Sequence, residues 1–164
     1  MNIPVRSVVA GLLVIGLTAA VLSKARAGGD DYFPPVTDKL TIDECGSCHM
    51  AFPPAMLPAA SWRRMMVELE DHFGDNASLN PQTAAHVTRY LVDNAADAGG
   101  RRYGRKLMKG VPAGASPQRI TKLPKWVREH DEVSRSEWQH KDVGSKANCP
   151  ACHVDANDGY FEDD

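Results

Sequence analysis

Cys45-Gly46-Ser47-Cys48-His49 is one of two pentapeptides in the chain with the pattern C-x-x-C-H, and the other is Cys149-Pro150-Ala151-Cys152-His153. Two thiols at this spacing can form thioethers with the two vinyl groups of one porphyrin, and the histidine that follows lies beneath the iron. The two motifs use all four cysteines of the 164-residue chain. The pattern therefore predicts two covalently attached haem c groups, with His49 and His153 as proximal iron ligands.

Three other interpretations of the paired cysteines agree less well with the sequence. A zinc ribbon places its two pairs about 15 to 20 residues apart, whereas about a hundred residues separate these pairs. Two disulfides are possible in an exported chain, but they give no reason for a histidine after each pair. A redox-active C-x-x-C belongs to a strand-helix unit, and neither motif lies in such a pattern.

The N-terminal residues Met1 to Ala27 have the features of a cleaved signal peptide. Arg6 precedes an apolar run from Val8 to Leu22, and Ala25-Arg26-Ala27 is an A-x-A cleavage site. The alternative is a retained membrane anchor, but 15 apolar residues span only about 22 Å as a helix, against about 30 Å of bilayer core. We therefore expect a soluble periplasmic protein that begins near Gly28.

The charge of the mature chain shows no nucleic-acid footprint. The whole sequence has 19 basic and 21 acidic residues, and residues 1–27 contain three bases and no acid, so 16 bases and 21 acids remain, a formal charge of -5. Ala98 to Arg128 is the exception, with nine basic residues and no acidic one. This run is either a solvated surface or a positive face that steers an acidic redox partner.

The periodicity predicts a mainly α protein. It comprises the signal peptide at 1–27, an N-terminal haem lobe at 28–97, a linker or long loop at 98–117 and a C-terminal haem segment at 118–164. The mature 137 residues are short for two apolar cores, so we expect the haems to form part of the core.

Four helices are expected within this arrangement. The first covers Thr37 to Cys48, and the second has Ser61 as N-cap, an apolar stripe from Trp62 to Phe73 and a stop at Gly74. The third begins at Asn80-Pro81 and continues to about Ala96, and the fourth follows Pro124 from Lys125 to about Trp138. The stretch after Trp138 carries the second motif without a predicted helix or strand.

The sixth ligand of the first iron is sought among the remaining histidines and the methionines. His72 lies seven residues after Met65, which places both on nearly one line of a continuous helix. A polar ring on an apolar face needs a partner, and iron can supply it. His86 falls on the polar side of its helix, where solvent is the simpler partner. Helical phase therefore favours His72.

The methionines are weaker candidates for the first iron. Met65 and Met66 lie within the amphipathic helix and are expected to pack in the core or against haem. Met108 lies among basic residues.

For the second iron, His130 and His140 remain in competition. His130 follows Trp126 by four residues and precedes Val133 by three, so its neighbours are apolar. His140 lies in the polar stretch Gln139-His140-Lys141-Asp142. His130 is preferred, and His140 is kept as the rival ligand.

The chain also resembles the small soluble dihaem cytochrome c family of proteobacteria. The resemblance covers roughly Thr37 to Phe161 and is carried by Cys48-His49-Met50-Ala51-Phe52-Pro53-Pro54, Leu57-Pro58-Ala59-Ala60-Ser61-Trp62, Asp71-His72-Phe73-Gly74, Arg119-Ile120-Thr121, Trp126, Glu129-His130 and Asn148-Cys149-Pro150-Ala151-Cys152-His153. It implies bis-histidine ligation with His72 and His130 as distal ligands. It also implies a lobe similar to class I cytochromes c, an irregular C-terminal haem segment, and electron donation to a small oxygen-binding monohaem cytochrome c.

Two six-coordinate haems leave no open iron position, which favours electron transfer at low potential over catalysis. The alternatives are a small dihaem peroxidase or reductase and a gas or redox sensor with one displaceable ligand. Either would require at least one iron that binds an exogenous ligand.

Overall fold

The computed structural model describes residues 31–99 and 103–162, so the predicted signal peptide lies outside the described residues. Within these ranges the chain forms no β-sheet, only two isolated antiparallel bridges, Tyr32 with Tyr160 and His72 with Asp75. The α-helices are α1 (Lys39–Cys45), α2 (Ala59–Val67), α3 (Pro81–Asp93), α4 (Pro124–Glu129) and α5 (Arg135–Trp138). The mainly α class is therefore confirmed, while the predicted likeness of the first lobe to class I cytochromes c remains a prediction.

Helix α1 carries the first motif at its C-terminal end. Asp38 caps it, because its carboxylate accepts the Thr41 N–H at 2.8 Å and the Thr41 hydroxyl at 2.7 Å. The helix therefore starts at Lys39 and not at Thr37. It ends at Cys45, and the Gly46 N–H donates to the Ile42 carbonyl at 2.8 Å.

Helix α2 begins earlier than the sequence pattern predicts, so Ser61 as its N-cap is wrong. Pro58 precedes the helix in an extended conformation, and the Ala59 N–H donates to the Asp97 carboxylate at 2.7 Å. A side chain from far along the chain thus satisfies a free N–H that a local cap would otherwise take. Ser61 is fully buried in the first turn.

The predicted continuation of α2 to Phe73 is also wrong. The α-helix ends at Val67, and a 3₁₀ turn covers Leu69–Asp71. A turn from His72 to Asp75 follows, and both of its central residues have positive φ, 61° at Phe73 and 108° at Gly74. Since a right-handed helix requires negative φ, the chain leaves the helical path before Gly74.

Helix α3 confirms its predicted start, because the Asn80 side chain accepts the Thr83 N–H at 3.0 Å and Pro81 occupies the first turn. It ends at Asp93, earlier than about Ala96. Val87 and Leu91 on its apolar face are buried. The helix packs against α2 and α1.

The fourth predicted helix, from Lys125 to about Trp138, is two helices with a break at residues 130–134. Helix α4 ends at Glu129, and α5 begins after Ser134 with a capping box. The Ser134 hydroxyl accepts the Glu137 N–H, and the Glu137 carboxylate accepts the Ser134 N–H. The S-x-x-E pattern that signals this start is present in the sequence.

One hydrophobic cluster joins the parts of the described chain, and its buried members are Phe33, Ala55, Met56, Leu57, Trp62, Val87, Leu91, Ala95, Leu107, Leu123 and Trp126. Leu107 belongs to the predicted linker, whose described part contains no helix or strand. Gly104 allows this segment to approach closely, since a Cβ there would lie 2.3 Å from the Ala55 carbonyl oxygen. The division into lobe, linker and segment remains a prediction.

No helix in the described ranges has the length and apolar character needed to cross a membrane.

Candidate cofactor sites

The first C-x-x-C-H motif straddles the end of α1. Cys45 is the last residue of the helix and is half-buried, whereas Cys48 and His49 are exposed in the turn that follows. The Ser47 hydroxyl donates to the Glu44 carbonyl at 3.1 Å. The helix end thus holds one thiol against the fold and presents the other outward, and the two do not form a disulfide.

The second motif is organised by a 3₁₀ turn, Cys149–Ala151. The N–H groups of Cys152 and His153 both donate to the Cys149 carbonyl, at 3.1 and 2.9 Å. Ahead of the turn, the Asn148 amide donates to the Val143 carbonyl at 3.0 Å. Cys149 is half-buried and Cys152 exposed, the same asymmetry as in the first motif.

Burial raises the pKa of the half-buried thiol in each motif. Burial, and secondarily the Glu44 carboxylate, raises the pKa of Cys45 to about 11. Burial also raises the pKa of Cys149 to about 11. Redox-active C-x-x-C sites instead lower the pKa of one thiol to form a thiolate. Cys45 and Cys149 are therefore poorly suited to act as the attacking thiolates of disulfide exchange.

His49 and His72 form the first histidine pair. Their ring centroids lie 6.2 Å apart with an interplanar angle of 29°. The Nδ1 of His49 lies 2.7 Å from the Met50 carbonyl oxygen, and the Phe52 ring lies beside it at 4.9 Å. Donation from Nδ1 to that carbonyl fixes the tautomer and leaves the Nε2 lone pair for a metal.

His72 reaches this position through a tight turn and not through helical phase, which corrects the reason for which the sequence favours it. The His72 N–H donates to the Asp75 carbonyl at 2.7 Å, and the Asp75 N–H donates back to the His72 carbonyl at 3.3 Å. Phe73 and Gly74 form the turn with positive φ. Burial and then the nearby His49 lower the pKa of His72, which favours the neutral, metal-binding form.

His130 and His153 form the second pair. Their ring centroids lie 6.0 Å apart, and the rings are close to perpendicular at 72°. His130 Nδ1 lies 2.8 Å from the Trp126 carbonyl oxygen, and His153 Nδ1 lies 3.3 Å from the Glu162 carbonyl oxygen. Both Nδ1 atoms are thus positioned to donate to backbone, as in most metal-bound histidines.

The spacing of both pairs fits a haem iron. With metal–nitrogen bonds of about 2.0–2.1 Å and about 1.1 Å from nitrogen to ring centre, two imidazoles on opposite sides of one metal have centroids about 6.3 Å apart. The measured 6.2 and 6.0 Å are close to this distance. Exposed apolar side chains follow two of the candidate ligands in sequence, Phe73 after His72 and Val154 after His153. Such side chains suit the apolar face of a porphyrin.

The rival histidines have other partners. His86 Nε2 lies 3.0 Å from an Asp38 carboxylate oxygen. His140 Nδ1 lies 3.6 Å from an Asp142 carboxylate oxygen, and its side chain is 60% exposed. Neither ring packs against another histidine in the described part of the chain. The methionines Met65, Met66 and Met108 are partly buried against the hydrophobic cluster.

The surroundings of His130 include contacts that the sequence analysis did not identify. The His130 ring stacks on Trp126 with centroids 4.1 Å apart at 12°, and Trp138 lies 6.1 Å away. Lys146 Nζ lies 4.8 Å from the Trp138 ring centre and 5.7 Å from that of Trp126. The i, i+4 spacing of Trp126 and His130 indicates their proximity, but the contribution of Lys146 depends on tertiary structure.

At the first site, Arg119 lies 3.9 Å from the ring centre of Phe73. The same basic stretch that the sequence shows at 98–128 thus places one cation next to the turn that holds His72.

The chain is similar to known dihaem cytochromes c. Residues 41–161 match the dihaem cytochrome c family. A diheme cytochrome c from Rhodobacter sphaeroides is 43% identical, with a TM-score of 0.71, over 78% of this chain and 99% of that chain. A crystal structure of DHC purified from Rhodobacter sphaeroides is 42% identical with a TM-score of 0.65, over 77% of this chain and 99% of that chain. A diheme cytochrome type c from Shewanella baltica is 40% identical with a TM-score of 0.60, over 76% and 86%. No curated protein matches the chain.

Proposed function

We propose that this chain, which belongs to the dihaem cytochrome c family, is a periplasmic electron carrier with two bis-histidine, low-potential haems. Membership of the family implies two haem c groups, which confirms the cofactors predicted from the two motifs. The bound haems supply a one-electron couple at each iron. The covalent sites we assign are the cysteines Cys45, Cys48, Cys149 and Cys152.

The observation that carries the proposal is the presence of two histidine pairs at iron-bridging distance. His49 with His72, and His130 with His153, have ring centroids 6.2 and 6.0 Å apart. An iron held between two imidazoles has no open coordination position, so it exchanges electrons without binding a substrate. This arrangement favours a carrier over a peroxidase, a reductase or a gas sensor.

The low potential follows from the same ligands. A methionine thioether raises the potential of a haem relative to a second imidazole. The methionines near the first site pack against the hydrophobic cluster, and His72 is the side chain opposite His49. We therefore expect both haems to lie at the low end of the range for c-type haems.

Membership of a cytochrome family implies redox protein partners. We propose a small oxygen-binding monohaem cytochrome c as the electron acceptor, in line with the family resemblance. The cations near the two ligand sites support an acidic docking surface on that partner, because Arg119 lies over Phe73 and Lys146 lies over Trp138. Complementary charge speeds weak, transient association of this kind.

The proposed location in the periplasm rests on residues 1–27 and on the chemistry of the cofactor. Residues 1–27 have the charge, apolar run and cleavage site of a secretory signal. In bacteria, c-type haem is attached outside the cytoplasm, so a chain with two attachment motifs requires export.

Visible spectra of the oxidised and reduced protein, with and without carbon monoxide, test the proposal. We expect low-spin bands from both haems and no change on adding carbon monoxide. A high-spin band, or a shift caused by carbon monoxide in the wild-type protein, would show an open iron and would support the enzyme or sensor alternative.

A further inference from the structure

We infer that Trp126 is a positioning residue, which holds the His130 ring nearly perpendicular to the His153 ring. Because the rings of the first pair are nearly parallel, this orientation makes the two haems electronically different. The inference rests on the proposed bis-histidine ligation and adds an asymmetry between the two irons. It concerns the orientation of the ligand rings and not their identity.

The two histidine pairs have similar spacing but different ring orientations. The rings of His49 and His72 are inclined by 29°, which is close to parallel. The rings of His130 and His153 are inclined by 72°, which is close to perpendicular. Ring orientation therefore separates two sites that have the same attachment motif and the same ligand types.

Contacts on both the face and the edge of the ring fix the orientation of His130. Its face stacks on the Trp126 indole at 4.1 Å and 12°. Its Nδ1 lies 2.8 Å from the carbonyl oxygen of the same residue. Rotation of the imidazole would break the stack and misalign this hydrogen bond, since hydrogen bonds weaken steeply away from linearity.

Trp126 itself is held firmly. Its side chain is only 8% exposed, and it belongs to the hydrophobic cluster together with Leu123 and Leu107. Trp138 lies 5.9 Å from it, and the Lys146 ammonium lies over both indoles. Because buried aromatic side chains sit in defined rotamers, the indole is a rigid support for the imidazole.

The first pair has no comparable stack in the described residues. Phe73 lies 4.8 Å from His72 but is inclined by 53°, and Phe52 lies 4.9 Å from His49 at 33°. Phe73 is also 44% exposed. The orientation of His72 is instead determined by the turn from His72 to Asp75.

The relative orientation of the imidazoles has an electronic effect because each ring donates π electron density perpendicular to its own plane. Two parallel rings donate to the same one of the two iron d orbitals that have π symmetry along the ligand axis, and this separates the two orbitals in energy. Two perpendicular rings donate to one orbital each and leave the pair nearly degenerate. We therefore expect the second haem to have the larger gmax in its ferric form, and a potential raised by this contribution.

Electron paramagnetic resonance of the fully oxidised, two-haem protein tests the inference. The wild type should give two low-spin ferric signals, one rhombic and one nearly axial with the larger gmax. Trp126→Leu, which removes the indole, should lower gmax of the nearly axial signal and leave the rhombic signal unchanged. Trp126→Phe, which restores an aromatic face, should keep the nearly axial signal.

Trp62→Phe is the matched control for disturbance of the core. Trp62 is also a buried member of the hydrophobic cluster, and its indole N–H donates to the Pro54 carbonyl at 2.8 Å without a stacked histidine. This variant should keep both signals. A high-spin second haem in Trp126→Leu, with wild-type signals in Trp126→Phe and Trp62→Phe, would also support the role of Trp126 in positioning His130.

Two rhombic signals in the wild type would overturn the inference and leave bis-histidine ligation intact. So would an unchanged gmax in Trp126→Leu, or loss of the nearly axial signal in all three variants alike. A high-spin signal in the wild type would instead contradict the proposed function itself.

Discussion

The ring centroids of His49 and His72 lie 6.2 Å apart and the two ring planes are inclined by only 29°, although one residue belongs to an attachment motif and the other to a turn after α2. The turn places the His72 ring where the proposed bis-histidine ligation of the first haem requires it. The backbone there is strained, since Phe73 has a φ of 61°, which is rare for a bulky residue. Strain at this point supports a role for the turn in positioning His72.

Replacing His72 with methionine should raise the reduction potential of the first haem by on the order of 0.1 V, within the roughly 0.8 V that axial ligands span. The thioether favours ferrous iron more than imidazole does, and the second haem should change little. Spectropotentiometric titration of both haems measures this. His86→Met is the control, because His86 is paired with Asp38. A shift caused by the His86 change alone would contradict the assignment.

Removal of the His130 side chain should open the second iron. We expect His130→Ala to give one high-spin haem that binds carbon monoxide, since the ring opposite His153 is lost. His140→Ala should leave both haems low-spin, because His140 is exposed and lies beside Asp142. Carbon monoxide difference spectra distinguish the two. The reverse pattern would transfer the ligand assignment to His140.

Gly74→Ala should weaken the positioning of the His72 ring opposite His49. A side chain at a φ of 108° costs about 1–3 kcal/mol, and nothing lies near enough to the new Cβ to add a clash. The turn should open in part and admit carbon monoxide to the first haem. Gly114→Ala is the matched control, with a φ of 76° and the same open surroundings. Equal carbon monoxide binding by both variants would show that the turn does not position the ligand.

The cap of α1 should make stability depend on pH in acid. Hydrogen bonds from the Thr41 side chain, from His86 and from the Thr41 N–H lower the pKa of Asp38 from 3.8 to about 2. Because the folded-state pKa is depressed, the stabilising contribution is complete above about pH 4 and is lost as the pH falls through about 2.

Denaturant unfolding of the wild type and Asp38→Asn between pH 5 and pH 2 measures this contribution. The amide keeps an acceptor oxygen but cannot titrate, so the difference in unfolding free energy between the two proteins should shrink as the pH falls. A difference that is constant with pH would mean that the charge of Asp38 does not stabilise the fold.

Electron transfer to an acidic cytochrome should slow as ionic strength rises, because salt screens the attraction between docking surfaces. Reversing the charges of Arg101, Arg102 and Arg105 should flatten this dependence in stopped-flow measurements. The control variant reverses the charge of three cations that lie outside residues 98–128 and form ion pairs with nearby acids, namely Lys39, Arg64 and Lys141. Rates indifferent to salt, or equal effects of both triple variants, would remove the docking role of residues 98–128.

Local sequence patterns predicted the features that adjacent residues determine. The start of α3 follows from Asn80 and Pro81, and the start of α4 follows from Pro124, because a cap and a proline act on the next turn of backbone. The start of α2 could not be predicted in this way. Its first N–H is capped by Asp97, which only the folded chain brings close.

The sequence by itself determined the chemistry of this protein, because thioether attachment and the proximal ligand need only the five consecutive residues of each motif. It also favoured His72 and His130, although the helical argument for His72 does not hold in the fold. Only the tertiary structure decided how the imidazole rings of each histidine pair are oriented. The turn at Phe73 and Gly74 brings His72 to His49, and the buried Trp126 sets the His130 ring at 72° to His153. Ring angles depend on packing between distant segments, which sequence spacing does not encode.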